Sequence, residues 1–204
     1  RRRRADRVRC LDTPPVAAQV GPVNVALAIL KIYVPGPLKK RLLGELYGAT
    51  ARAFGATPPD LRGLSYAALL ESYATFTRNE AGRLLEEGSR EAAVPENLYK
   101  NAYALGLRLR QALGIRSLRH ALKASRILYR TLRIDFEGTP AGEVTIRSCY
   151  FSRFYTSAIC RVVSSIDAGV AAGLSGGGRL EFSQRITDGR DCCLARLTFE
   201  VPGR

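Results

Sequence analysis

The 204-residue chain has no methionine, no tryptophan and one histidine. Without any methionine, the chain as written is expected not to start at its natural beginning. A single histidine leaves no ready Cys–His dyad, because His120 falls off the apolar face of its helix and reads as a surface residue. Acids are also scarce: 18 against 32 Lys and Arg, for a net charge of +14. Such a balance selects anionic neighbours. A small anionic ligand is the first expectation, with nucleic acid or an anionic membrane surface behind it. Long apolar runs are missing too. Residues 16–34 are the most apolar stretch, but Gln19, Gly21, Pro22, Asn24 and Lys31 interrupt it, so it does not read as a membrane span. It reads as a helix docked on the core, or lying on a lipid surface. The Arg-rich start lacks the apolar stretch and cleavage site of a signal peptide. A cytoplasmic protein is therefore expected, with membrane association as the secondary reading. In that setting the five cysteines serve as ligands, nucleophiles or core residues more often than as disulfides.

What the chain does have is enough apolar content, 46%, to bury a core. Three regions follow from its pattern: a basic flexible arm at 1–15, a helical region at 16–131, and a β-β-α-β-β region at 132–204 that completes one domain. Arg1 to Arg9 holds six arginines and one acid. Helical periodicity then covers Asn24 to Tyr33, Leu38 to Phe54, Ser65 to Glu87, Asn97 to Leu113 and Ser117 to Thr131. Gly55, Gly88 and Gly114 stand as stops. Arg119, Lys123, Arg126, Arg130 and Arg133 recur at helical spacing and form a basic stripe. It reads as a solvated face, with carboxylate binding by one or two arginines as a minority role. Neither the charge nor the pattern opposes an oligomer.

From Leu132 the period changes to alternation. A hairpin is expected to end at Cys149, followed by a helix from Thr156 to about Leu174. A third strand then carries Leu180, Phe182 and Ile186, and a fourth carries Cys193, Ala195, Leu197, Phe199 and Val201. The fold class is thus α+β: N-terminal helices, then a four-stranded antiparallel sheet packed on helices. The Gly-rich segment at 173–178 leads from helix to strand, the reverse of a phosphate loop, and reads as a tight connection.

Four of the five cysteines lie between Cys149 and Cys193. Cys160, Ser164 and Asp167 sit at i, i+4 and i+7, within about 60° on the helical wheel. A thiol near a helix start, beside polar partners, suits a nucleophile or a metal ligand. Cys149, Cys160 and Asp167 are accordingly the candidate catalytic residues. Arg153 and Ser164 are candidates for binding substrate. If a metal is present, zinc or iron, its ligands would be Cys160, Glu181 and Cys192. Cys193 alternates with apolar residues and reads as core, and Cys192 reads as lying on the more polar face.

The run from Arg147 to Phe199 resembles the L-2-amino-thiazoline-4-carboxylic acid hydrolase family. The shared pattern falls on Cys149, Cys160, Asp167, Gly189 and Cys193, with Tyr150 where a Pro is frequent. The same run is similar to vinyl-reductase domains, found in bacteriochlorophyll-biosynthesis proteins and in ligand-sensing regulators, some of which bind zinc. Their Glu-x2-Cys-x7-Cys hairpin becomes Glu181-x2-Gln184-x7-Cys192 here. Both resemblances imply helices followed by β-β-α-β-β. The first implies a small-molecule hydrolase that opens a cyclic amidine or thiazoline carboxylate. The second implies a ligand-binding module for an apolar or tetrapyrrole-like molecule, without turnover or with a metal.

Overall fold

The computed structural model describes residues 24–87 and 93–199. The arm, the first residues of the helical region, Gly88 as a helix stop and Val201 as a strand residue lie outside the described residues. Five helices come first: α1 (Val25–Ile32), α2 (Gly36–Ala53), α3 (Tyr66–Glu87), α4 (Ala93–Ala112) and α5 (Leu118–Thr131). Strands β1 (Ile134–Gly138) and β2 (Glu143–Cys149) follow, then α6 (Ser157–Ser175), β3 (Arg179–Gln184) and β4 (Cys193–Thr198). This is the α+β order that the alternation and helical periods predict.

Side-chain caps fix several helix starts. Asn24 accepts from the Leu27 amide at 3.1 Å, Ser117 from His120 at 3.3 Å, and Thr156 from Ile159 at 3.3 Å. Each such cap contributes about 1 kcal/mol. α4 begins at Ala93, earlier than its periodicity suggests, because Pro95 fits a first turn, where its missing N–H costs nothing. α6 ends at Gly176, which turns into the left-handed region at φ 85°. Arg110 then closes the end of α6 by donating to the Leu174 carbonyl at 2.9 Å.

The sheet order is β1-β2-β4-β3, antiparallel throughout. Phe136, Val144, Ile146, Leu180, Cys193, Ala195 and Leu197 are buried on the face turned to the helices. The opposite face is charged, and Glu181 stands across from Arg196, which in turn stands across from Glu143. Two strand readings need correction. A register shift between Phe182 and Gln184 ends β3, so Ile186 lies in a 3-10 turn (Ile186–Asp188) and not on the strand. β4 stops at Thr198, leaving Phe199 42% exposed, outside the alternating core. One apolar cluster runs from Leu27 to Leu197, so helical and β regions share a single core among the described residues.

α6 is long and apolar enough to cross a membrane by length and composition, yet here it is the central helix of the core. Its closest partner is α4, and the approach is backbone to backbone. A Cβ on Gly173 would stand 2.4 Å from the Tyr103 carbonyl oxygen and 2.7 Å from the Leu107 nitrogen. One on Gly169 would stand 2.3 Å from the Tyr99 oxygen, and one on Gly106 would stand 2.7 Å from the Val170 oxygen. Backbone cannot yield as a flexible side-chain tip can, so any side chain here must push the helices apart. Gly173→Ala is expected to destabilise the fold by about 3 kcal/mol in urea unfolding. Gly82→Ala, in α3 with open space around it, should instead gain up to about 1 kcal/mol. Equal effects of the two changes would remove the close approach as their cause.

Candidate functional site

The α4 contact fixes α6, and with it the stripe of Cys160, Ser164 and Asp167. The start of α6 is also tied to the 186–188 turn. Ser157 donates to the Thr187 carbonyl at 2.5 Å, and Arg161 pairs with Asp188 at 2.9 Å. The turn is in turn held to β4, because the Ile186 amide donates to the Cys193 sulfur at 3.4 Å. A second 3-10 turn, Tyr150–Arg153, follows β2 and places Cys149 and Phe151 opposite the stripe.

Between these pieces lies a cavity of about 80 Å³. That is several times the roughly 10–15 Å³ that one water needs. Cys149, Cys160, Ser164, Asp167 and Cys193 all line it, together with Thr187. Residues spread over Cys149 to Cys193 in sequence thus meet at one site. The remaining wall is mainly apolar, including Leu46, Ile134, Phe151 and Ile166. Cys193 is buried, as its alternation predicts, but it is a cavity residue as well as a core residue.

The electrostatics follow from burial. Desolvation pushes the Asp167 carboxyl up to about 6, while a hydrogen bond from the Tyr129 hydroxyl at 2.7 Å and the charge of Arg185 pull the other way. Burial pushes the Cys149 thiol up to about 12, with the Asp167 charge adding to it and the nearby Phe151 and Ser152 amides opposing it. Cys160 and Cys193 are raised for the same first reason, and Arg185 opposes the rise in both. The Tyr129 hydroxyl is raised well above its ordinary value by burial and the Asp167 charge, so it stays a neutral donor. Asp167 is therefore the group of the cavity poised to gain and lose a proton near neutral pH.

Three contributors escape the sequence pattern. Arg185 donates from Nη2 to the Ser164 hydroxyl at 3.3 Å and lies over the Phe182 ring at 4.9 Å, while its Nε is buried with no partner. Strict alternation after Glu181 and Ser183 sends Arg185 to the solvent face; the register shift re-aims it toward α6. Tyr129 looks like one more apolar-face residue of α5 until its hydroxyl is placed. Thr187 belongs to a turn that carries no motif.

Other expected residues lie elsewhere. Arg153 is exposed and stacks on Tyr150 at 4.0 Å and Phe154 at 4.8 Å, away from the residues that line the cavity. Glu181 faces solvent on the outer side of β3, paired with Arg179 at 2.8 Å. Cys192 is fully buried instead of lying on a polar face, and it is disulfide-bonded. Cys160, Glu181 and Cys192 therefore do not form a ligand set. Among the described residues no group of three or more His, Cys, Asp or Glu is placed to hold a metal. His120 is half-buried, not a surface residue, and is not part of the cavity wall.

No protein-family model matches the chain, and no curated protein matches it significantly.

A carboxyl held at about 6 keeps its proton in the folded chain at pH values where the unfolded chain, with an ordinary value near 3.9, has lost it. Its favourable contribution is complete below about pH 4 and is lost as pH rises through 6. In urea unfolding, the wild type should lose about 2 kcal/mol more than Asp167→Asn between pH 4 and pH 8. Parallel pH dependence in the two proteins would remove this assignment.

Proposed function

We propose that the chain is a small-molecule hydrolase whose site is the Cys160–Asp167 cavity, acting on a cyclic amidine or thiazoline that carries a carboxylate. The observation that carries this reading is the meeting of Cys149, Cys160, Asp167 and Cys193 around one cavity, with a carboxyl poised near neutrality among them. These are the cysteine and aspartate positions on which the resemblance to the thiazoline-carboxylate hydrolases rests. Cys160 attacks the ring carbon between nitrogen and sulfur. A raised thiol keeps its proton at neutral pH, so the proton must leave as the bond forms. Asp167, largely ionised at pH 7, accepts it and passes it to the ring heteroatom that departs. Tyr129 holds the carboxyl in place through its 2.7 Å hydrogen bond. Water then restores the thiol. Arg185, which reaches the cavity through its contact with the lining residue Ser164 and whose Nε is buried and unpartnered, is the group that receives the substrate carboxylate. Every step is assigned here to these side chains; among the described residues no group of three or more His, Cys, Asp or Glu is placed to hold a metal.

A second reading has one observation in its favour. Burial raises all the free thiols of the cavity, which suits a quiet apolar pocket that binds a ligand without turnover. A cavity of about 80 Å³ then limits the ligand to a small ring, well below a tetrapyrrole.

Turnover of 2-amino-thiazoline-4-carboxylate, followed by ring opening, separates the two. The hydrolase reading expects a kcat that falls as pH drops through about 6, following the Asp167 carboxyl. It also expects losses of about 10²–10⁴-fold in Asp167→Asn and Cys160→Ser. Arg185→Gln should raise KM with kcat nearly kept. Saturable binding by folded protein with no ring opening would overturn the hydrolase reading in favour of the second.

A further inference from the structure

α1 has two apolar stripes, and among the described residues only one of them is covered. Leu27 and Val34, just beyond the helix end, are buried at 3% and 4% exposure and dock the segment. Val25, Ile29 and Ile32, at i, i+4 and i+7, point away from the core at 66%, 61% and 85% exposure, and Tyr33 follows at 64%. Four of the seven large apolar side chains exposed among the described residues are thus gathered on this one short segment. Scattered single exposures need no explanation, whereas a contiguous patch marks an interaction surface.

The surroundings of that patch are basic. Between Asn24 and Gly44 the chain has Lys31, Lys39, Lys40 and Arg41 and no acid. α5 packs beside α1, and Arg130 donates to the Leu30 carbonyl at 3.1 Å. Lys123 and Arg126 are exposed on the same stripe of α5 as Arg130, whereas Arg133, expected on that stripe, lies beyond the helix end with its guanidinium over the Tyr150 ring at 5.6 Å. No acid occurs from Asn97 to Ile134.

We propose that α1 and the basic stripe of α5 form a docking surface for an anionic lipid bilayer. The aliphatic stripe enters the boundary between headgroups and acyl chains, Tyr33 sits at headgroup level, and Lys31, Lys123, Arg126 and Arg130 meet lipid phosphates. Two features select this occupant. A single-stranded nucleic acid would call for exposed aromatics on which bases stack, and this patch is chiefly aliphatic. A second copy seated on it by two-fold symmetry would bring two basic rims together, with like charges opposed. The inference is independent of the cavity and of the hydrolase reading.

Co-sedimentation of the full chain with phosphatidylcholine vesicles, with and without phosphatidylserine, tests it at low salt. Binding is expected only when phosphatidylserine is present, and it should weaken with added salt. Ile29→Glu combined with Ile32→Glu, and separately Lys123→Glu combined with Arg126→Glu, should each weaken binding by about tenfold or more. These side chains are exposed, so the melting temperature should hold in both variants and excludes misfolding as the cause. No retention on phosphatidylserine vesicles would overturn the proposal. So would wild-type affinity in the Ile29/Ile32 variant, tighter binding to transfer RNA that ignores that variant, or a dimer in solution that the same variant dissolves.

Discussion

The structure depends on how closely two helices can approach. Gly106 on α4 and Gly169 and Gly173 on α6 let backbone meet backbone, with no room for a Cβ on any of the three. Everything that gives the cavity its shape is referred to α6. Its N-terminal half carries Cys160, Ser164 and Asp167, and its C-terminal half carries the glycines that lock it. A shift of α6 by the width of a methyl group would alter the 2.7 Å hydrogen bond between Tyr129 and Asp167 and the 3.3 Å contact between Arg185 and Ser164. Packing at one end of the helix thus sets the chemistry at the other, because a close-packed interior transmits displacement instead of absorbing it.

The sequence shows the order of elements well. Helical and alternating periods are local properties, and the change of period at Leu132 falls at the end of α5, just before β1 begins at Ile134. The stripe of Cys160, Ser164 and Asp167 is equally local and is found intact on one wall of the cavity. What the sequence hides is set by tertiary placement. Arg185 cannot be found by counting, since the register shift between Phe182 and Gln184 reverses the face it occupies. Cys192 fails for a related reason: it precedes β4, so the alternation that assigns its neighbours does not extend to it. Arg153 falls outside the cavity wall because nearness in sequence to Cys149 does not settle which way a 3-10 turn points. The glycines of the α4–α6 contact do leave a signal, Gly169 and Gly173 at i and i+4 with Gly106 opposite, but small residues at helical spacing read as a contact only when the partner helix is known.

Asp167 also shows why a large positive charge does not decide the state of a single carboxyl. The chain carries a net charge of +14, yet this carboxyl rises to about 6. Desolvation is the leading cause, and among the cations of the described residues it is Arg185 that acts on it. Coulomb attraction through water falls off within about 10 Å at moderate salt, so exposed bases on α5 are screened from a buried group. α5 itself makes the point. Tyr129 is buried and reaches Asp167, whereas the adjacent Arg130 is exposed and reaches the end of α1. One helix therefore serves two surfaces that do not share a field. The inner surface is governed by burial and a short hydrogen bond, the outer one by charge density and salt. That separation lets a strongly basic exterior coexist with a carboxyl whose protonation is set locally.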